Sequence, residues 1–403
     1  MHSYSAEFLK AIPKTDLHVH LDGSLRLSTL IDLAGQYDVQ LPSFTEAGMK
    51  ELVFKDSYRN LDEYLNGFRW TTAVMQHREA LRRVAYELAM DNAAEGVRYL
   101  EVRFAPQLHM SVDLSFEDVL RAVDDGLRTA AREISSSSPD LPQFNYGIIV
   151  CAMRFFTAAF SRYYATLAAG LQFSTLREIQ QLASYELARA AVRLRDTSDI
   201  QIVGFDLAGS ERGNPAGVHS RAFAHAHENF LHKTVHAGEA YGPESIFQAI
   251  TILHADRIGH GLHLFDAEMI ENPDIADPDR YVERLANSIA ETRTAVEVCL
   301  TSNLQTSPDI ADIKHHSLAR MLDRGISVTL CTDNRLVSGT TVTDEIQLAV
   351  DSFDIPPETL RNIVIHGFKR SFYYGTYAEK RRYVRGIIDY YDKISQNFLR
   401  KRR

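Results

Sequence analysis

The chain has 403 residues, 45% of them hydrophobic and 24% charged, with a formal net charge of −9. Its length permits one core large enough to exclude water from a site. The acidic balance, with basic residues scattered rather than banked in a stripe, argues against nucleic acid or an anionic membrane as partner. Three cysteines without paired spacing, Cys151, Cys299 and Cys331, leave no basis for a disulfide framework or a cysteine-rich metal site. The most apolar stretch, 152–173, is interrupted by Arg154, Ser161 and Arg162, so no membrane span is expected. The first residues lack the pattern of a secretory leader, which makes a cytoplasmic location the expectation. The basic ending Leu399-Arg400-Lys401-Arg402-Arg403 reads as a solvated tail.

The first predicted strand, 16–21, alternates Leu17, Val19 and Leu21 with His18 and His20, placing both imidazoles on one face. A long interval, 22–96, follows, in which helical periodicity marks 30–37, 61–75 and 77–95. Strands are predicted next at 97–104, 146–153 and 202–207. The fifth, 234–237, runs into His236-Ala237-Gly238-Glu239, and Gly242-Pro243 then opens a helix carrying Ile246, Ile250 and Leu253. The sixth, 257–259, meets His260 between two glycines. After the seventh, 295–300, a helix over 313–324 stops at Gly325. The eighth, 327–332, ends on Asp333-Asn334. Segments 135–139 and 272–279 have loop composition. Strands alternating with helices imply a parallel sheet, and eight of them predict an α/β fold, a (β/α)8 TIM barrel forming a single domain over 1–403. The extra helices inserted after the first strand, about 25–75, would form a lid over the C-terminal mouth.

The chemistry-bearing residues fall at predicted strand ends, where barrel active sites are built. His18, His20, His236 and Asp333 make a mixed nitrogen and oxygen set suited to zinc, with a position left for water. Other polar and aromatic residues have blander readings. His225, His227, His254, His315 and His316 lie in helical patterns and read as surface or satisfied residues. His263 stands three residues past His260 and is not assigned to the site. Glu101 and Arg103 flank Val102 and read as an interior pair that Asp206 and Arg154 would join, and Phe155, Phe156, Phe160, Tyr163 and Tyr164 read as packing.

The motifs His18-Val19-His20-Leu21-Asp22-Gly23-Ser24, Cys151-Ala152-Met153-Arg154, Gly204-Phe205-Asp206-Leu207-Ala208-Gly209, His236-Ala237-Gly238-Glu239, Gly259-His260-Gly261 and Thr332-Asp333-Asn334 run in this order through the chain. Together they resemble the adenosine deaminase family of the metal-dependent amidohydrolases, over 13–372. The resemblance implies one Zn2+ held by His18, His20, His236 and Asp333. It implies that Glu239 protonates the purine N1 and that His260 orients and stabilises the attacking hydroxide or acts as base. It places the Gly209 backbone at N3 and Asp22 at the ribose 5′-hydroxyl. Asn334 departs from the usual aspartate facing N7, though its amide N–H can donate to an unprotonated N7. Binuclear relatives carry a lysine at the end of the fourth strand, and 204–209 has none.

The implied activity is hydrolytic deamination of adenosine and 2′-deoxyadenosine in purine salvage, with a small-molecule purine nucleoside as partner. Two alternatives stand beside it. One is a deaminase of adenine, aminofutalosine or an adenylate derivative, which Asp22 disfavours because such enzymes carry other residues there. The other is a non-catalytic adenosine-binding protein of the same fold, which the complete ligand set disfavours.

Overall fold

The computed structural model describes residues 4–307, 310 and 312–401. Its eight strands follow the chain around one sheet: β1 (Lys14–His20), β2 (Val97–Phe104), β3 (Asn145–Met153), β4 (Ile202–Ala208), β5 (His232–Ala237), β6 (Arg257–His260), β7 (Ala295–Val298) and β8 (Val328–Leu330). All neighbouring pairs are parallel. Just past β8, Asp333 N–H donates to His18 O at 2.8 Å and His20 N–H to Asp333 O at 2.7 Å, which brings the last strand back to β1. The result is the expected (β/α)8 barrel.

The strands form because their side chains suit a sheet buried on both faces. β2 reads Val-Arg-Tyr-Leu-Glu-Val-Arg-Phe, rich in β-branched and aromatic residues, and every position is buried. The helices between strands are capped by local chemistry. Ser115 and Asp118 close a capping box on the helix Phe116–Ser137, and Thr175 and Glu178 close another on Leu176–Thr197. Among the described residues no helix is long and apolar enough to cross a membrane.

The structure also corrects several expectations. The seventh strand stops at Val298, because a helix, Leu300–Thr306, begins where strand was expected to 300. The eighth is confined to Val328–Leu330. The helix expected over 61–75 is two, Leu61–Leu65 and Phe68–Val74, interrupted at Asn66-Gly67, where glycine is a poor helix former. The helix expected over 313–324 splits into a 3₁₀ turn, Ile313–His315, and a helix, Leu318–Asp323. The expected loop 135–139 is helical to Ser137. The final helix, Tyr377–Lys401, takes in the first part of the basic ending, while Arg402 and Arg403 lie outside the described residues.

Candidate active site

Four strand ends deliver named side chains to the C-terminal mouth. β1 brings His18 and His20, β5 His236, β6 His260, and the turn after β8 Asp333 and Asn334. A bulge in the β1–β2 register between Asp16 and Val19 lies at His18. Side-chain donor atoms of His18, His236, His260 and Asp333 all lie within 4.8 Å of one another. His20 joins them: its Nε2 is 3.0 Å from His236 Nε2 and 3.5 Å from Asp333 Oδ1. His18 Nε2 lies 3.4 Å from Asp333 Oδ1 and has no hydrogen-bond partner although buried.

Two glycines make this approach possible. A Cβ at Gly259 would fall 2.9 Å from the His18 ring, and one at Gly23 would fall 1.8 Å from Asn334 Oδ1. His260 and Asp333 themselves hold left-handed backbone, φ 66° and 58°, a strain that clusters at functional sites.

The far sides of two of the histidines are anchored by carboxylates. His18 Nδ1 is 2.8 Å from Glu297 and His236 Nδ1 3.1 Å from Asp206. Arg103 bridges the two carboxylates, at 2.9 Å to Asp206 and 2.8 Å to Glu297. Arg103 and Glu101 therefore do not pair with each other, because Glu101 pairs instead with Arg257. Carboxylates on Nδ1 place the hydrogen there and leave Nε2 bare toward the centre, the arrangement that metal-ligating histidines have. Zinc–nitrogen lengths of about 2.0–2.1 Å put neighbouring tetrahedral donors roughly 3.3 Å apart. The observed spacings of 3.0, 3.4 and 3.5 Å fit such an ion. These residues can hold a metal. Ser302, from the helix Leu300–Thr306, donates to Asp333 Oδ2 at 2.6 Å and steadies it.

Above the cluster opens a cavity of about 1060 Å³, lined by His20, Asp22, Gly209, His236, Glu239, His260, Asp333 and Asn334 among others. Every expected site residue except the deeper His18 reaches it. The helices Leu61–Leu65 and Phe68–Val74 form one wall through Leu61, Tyr64, Leu65 and Phe68. Phe155 and Phe160 also line the cavity, so only part of that aromatic run is packing; Phe156 and Tyr164 stack at 3.8 Å.

Electrostatics separate the carboxyl groups by role. Burial, then the negative charges of Asp333 and Glu211, push the Glu239 carboxyl well above its usual range. Its Oε1 lies 3.7 Å from His260 Nε2. Burial alone lifts Asp22 to about 7, and its Oδ1 has no partner. Burial would raise Asp333 as well, but the imidazoles of His18, His260 and His20 close around it and hold it below the ordinary range.

Sequence reasoning missed several residues that shape the site. Glu211 accepts the backbone N–H groups of Gly238, Glu239, Ala240 and Tyr241, and so fixes the loop that carries Glu239. Arg154 donates to His236 O and Asn214 O rather than joining the Glu101 region. Asn303 and His316 stand behind His260, so His316 is satisfied, as expected, though buried and outside any helix. Asn334 Nδ2 donates to the Tyr64 hydroxyl at 2.8 Å. His263 pairs with Asp266 at 2.6 Å.

The sequence signature of the family described as adenosine deaminase matches residues 13–177 and 169–390. An adenosine deaminase of Mycobacterium marinum is 38% identical over 368 residues, 90% of this chain and 91% of its own. One from Vibrio atlanticus is 32% identical over 379 residues, 94% and 98% of the two chains. Among solved structures, the N6-mAMP deaminase of Arabidopsis superposes with a TM-score of 0.71 at 26% identity, over 95% of this chain and 99% of that one. An amidohydrolase from Burkholderia ambifaria, solved with bound zinc, shares the fold with a TM-score of 0.75 at 20% identity, over 99% and 96% of the chains. With the strand-end motifs assembled around one cavity, the chain belongs to the adenosine deaminase family, hydrolases that remove the amino group of a purine by breaking a C–N bond.

Proposed function

We propose that this protein hydrolyses adenosine, and 2′-deoxyadenosine with it, to the 6-oxo nucleoside and ammonia, as a cytoplasmic purine-salvage enzyme with one zinc ion per chain. In this reading 1–403 is a single domain, and about 25–75 serves as a lid. The observation that carries it is one cavity holding both a buried, proton-retaining carboxyl group, Glu239, and the donor cluster at its floor.

His18, His20, His236 and Asp333 would hold the ion. Zinc bound there supplies Lewis acidity that brings the pKa of water toward about 7. The residues do the rest. An aromatic amine leaves poorly, so the ring must first become tetrahedral at C6. Glu239, kept neutral by burial, gives its proton to N1 and makes C6 electrophilic. His260, whose Nε2 lies beside Glu239 at 3.7 Å, stabilises the attacking oxygen. The Gly209 backbone meets N3 and Asn334 the N7 edge. Asp22, buried with an unpartnered oxygen, accepts the 5′-hydroxyl and repels a 5′-phosphate.

Ammonia release across adenosine, 2′-deoxyadenosine, adenine and adenylate, with metal analysis, tests this. The two nucleosides should lead, with about one zinc per chain. Preference for adenine or adenylate would keep the deaminase and replace the substrate. Release from none of them would leave a purine-binding protein.

A further inference from the structure

On the side away from the cavity, the His260 ring ends a chain of hydrogen bonds whose direction is set at its far end. Leu318 N–H donates to His316 Nδ1 at 3.1 Å. A backbone N–H has a hydrogen to give and no lone pair to accept one. Nδ1 of His316 is therefore the acceptor, and in the neutral ring Nε2 carries the hydrogen. Burial keeps that ring neutral, lowering its pKa to about 4. His316 Nε2 lies 3.2 Å from Asn303 Oδ1, which must accept. That fixes the orientation of the amide, and Asn303 Nδ2 then donates to His260 Nδ1 at 3.0 Å. Asn303, His316 and His260 are all buried. His260 Nε2, at the other end of the ring, has no hydrogen-bond partner among the described residues.

We propose that Asn303 and His316 are positioning residues that hold His260 in its Nε2–H tautomer, so that the ring offers the reacting oxygen a hydrogen-bond donor and not a lone pair. The inference rests on the deaminase reading of the site. It has two consequences. An Nε2–H cannot ligate a cation, so of the five groups that converge at the floor, His260 is the one left out of the ligand set. Nor can it take a proton from water, so His260 stabilises the attacking oxygen and the oxyanion that follows but is no general base. His18 and His236, whose Nδ1 atoms face carboxylates, have the opposite tautomer and point bare Nε2 atoms at the same centre.

The test reads the tautomer directly, in the zinc-loaded enzyme with 15N-labelled histidine rings. His260→Gln identifies the His260 signals. In the wild type the proton should sit on Nε2, with Nδ1 bare. Asn303→Asp, nearly the same shape, replaces the donor with an acceptor and should move the proton to Nδ1. It should also lower kcat about 10²-fold, the scale of losing one oxyanion donor, with KM and metal content unchanged. His316→Leu removes the partner that orients the Asn303 amide and should lower kcat less. His316→Gln, which restores a donor to Oδ1, should recover most of that loss. A merely structural role would move Tm and metal content together with kcat and show no rescue, which would count against the inference. A wild-type ring with its proton on Nδ1 overturns it, as does an Asn303→Asp enzyme that switches tautomer and keeps its kcat. The wild-type spectrum decides even if a variant fails to fold. A wild type that releases no ammonia from any aminopurine would instead overturn the proposed function, with the spectrum still reporting the tautomer.

Discussion

A carboxyl group can serve as an acid near neutral pH only if its surroundings keep the proton on it. At Glu239 burial does this first, and the nearby charges of Asp333 and Glu211 add to it. Glu239→Gln keeps the shape and removes the transferable proton, so kcat should fall at least about 10²-fold while zinc stays bound. Near-normal turnover in that variant would remove Glu239 from the chemistry. Asp22 makes a second case. Its Oδ1 is buried without a partner, which a substrate 5′-hydroxyl would fill. Replacing adenosine by 5′-deoxyadenosine should cost roughly 5- to 150-fold in kcat/KM, the equivalent of about 1–3 kcal/mol for an unsatisfied buried group. Adenylate should be poorer still, and Asp22→Asn should narrow that gap; a wild type that favours the phosphate would refute the role. Glu239 was legible as a carboxyl group at a strand's C-terminal end, where lumen-facing chemistry concentrates, while a role for Asp22 came only from the family resemblance. Asn303, His316 and Glu211 were not legible, since their contacts join separate segments of the chain and leave no spacing signal. Glu297 left one: a carboxylate inside Ala295-Val296-Glu297-Val298 must find a partner in the barrel interior.

At the scale of elements, period and composition marked all eight strands, because short β-prone runs recur between segments of helical period even where the strands carry buried charged residues. Boundaries slipped where a turn of different geometry follows directly, as after Val298 and around Leu330. Apolar spacing alone also merges short helices, which is why the break at Asn66-Gly67 was missed. The capping boxes at Ser115 and Thr175 are local signals that mark the starts of two outer helices. The insertion after β1 is the element with a function of its own to test. Its helices Leu61–Leu65 and Phe68–Val74 wall the cavity through Leu61, Tyr64 and Phe68, and Tyr64 reaches Asn334 and Ser338. If this wall is a lid, a bound nucleoside should add contacts to it that the free protein lacks. Amide hydrogen exchange over 61–74 should slow when inosine or a related nucleoside is added, while exchange in β2 and β3 stays as it was. Equal protection with and without ligand would make the insertion a fixed wall.

Across the whole molecule, the barrel interior is charged where most such interiors are apolar. Arg103, Arg257, Asp206, Glu297 and Glu101 form one buried network, in which Glu297 alone meets Arg103, Arg257, Thr234 and His18. Buried ion pairs of this kind are weak evidence for stability, because desolvation offsets much of their attraction. Their arrangement makes better sense as support, since Asp206 and Glu297 orient two of the histidines and Arg103 ties those carboxylates together. That arrangement leaves β1, β5 and the turn after β8 delivering lone pairs and a carboxylate to one point, where His18 Nε2 is buried without a hydrogen-bond partner. A divalent cation resolves that convergence in the folded state and finds no such site in the unfolded chain. Metal binding should therefore stabilise the whole fold. At a thousand times its dissociation constant a ligand adds about 4 kcal/mol, which moves Tm by several degrees. Stripping the protein with a chelator should lower Tm and abolish ammonia release together, and one equivalent of zinc should restore both. His18→Ala or Asp333→Ala should give a low Tm that zinc no longer raises, because the ligand set is broken. Two tightly held metals per chain would contradict the single site, and a stripped protein with full activity would separate the cluster from the chemistry altogether.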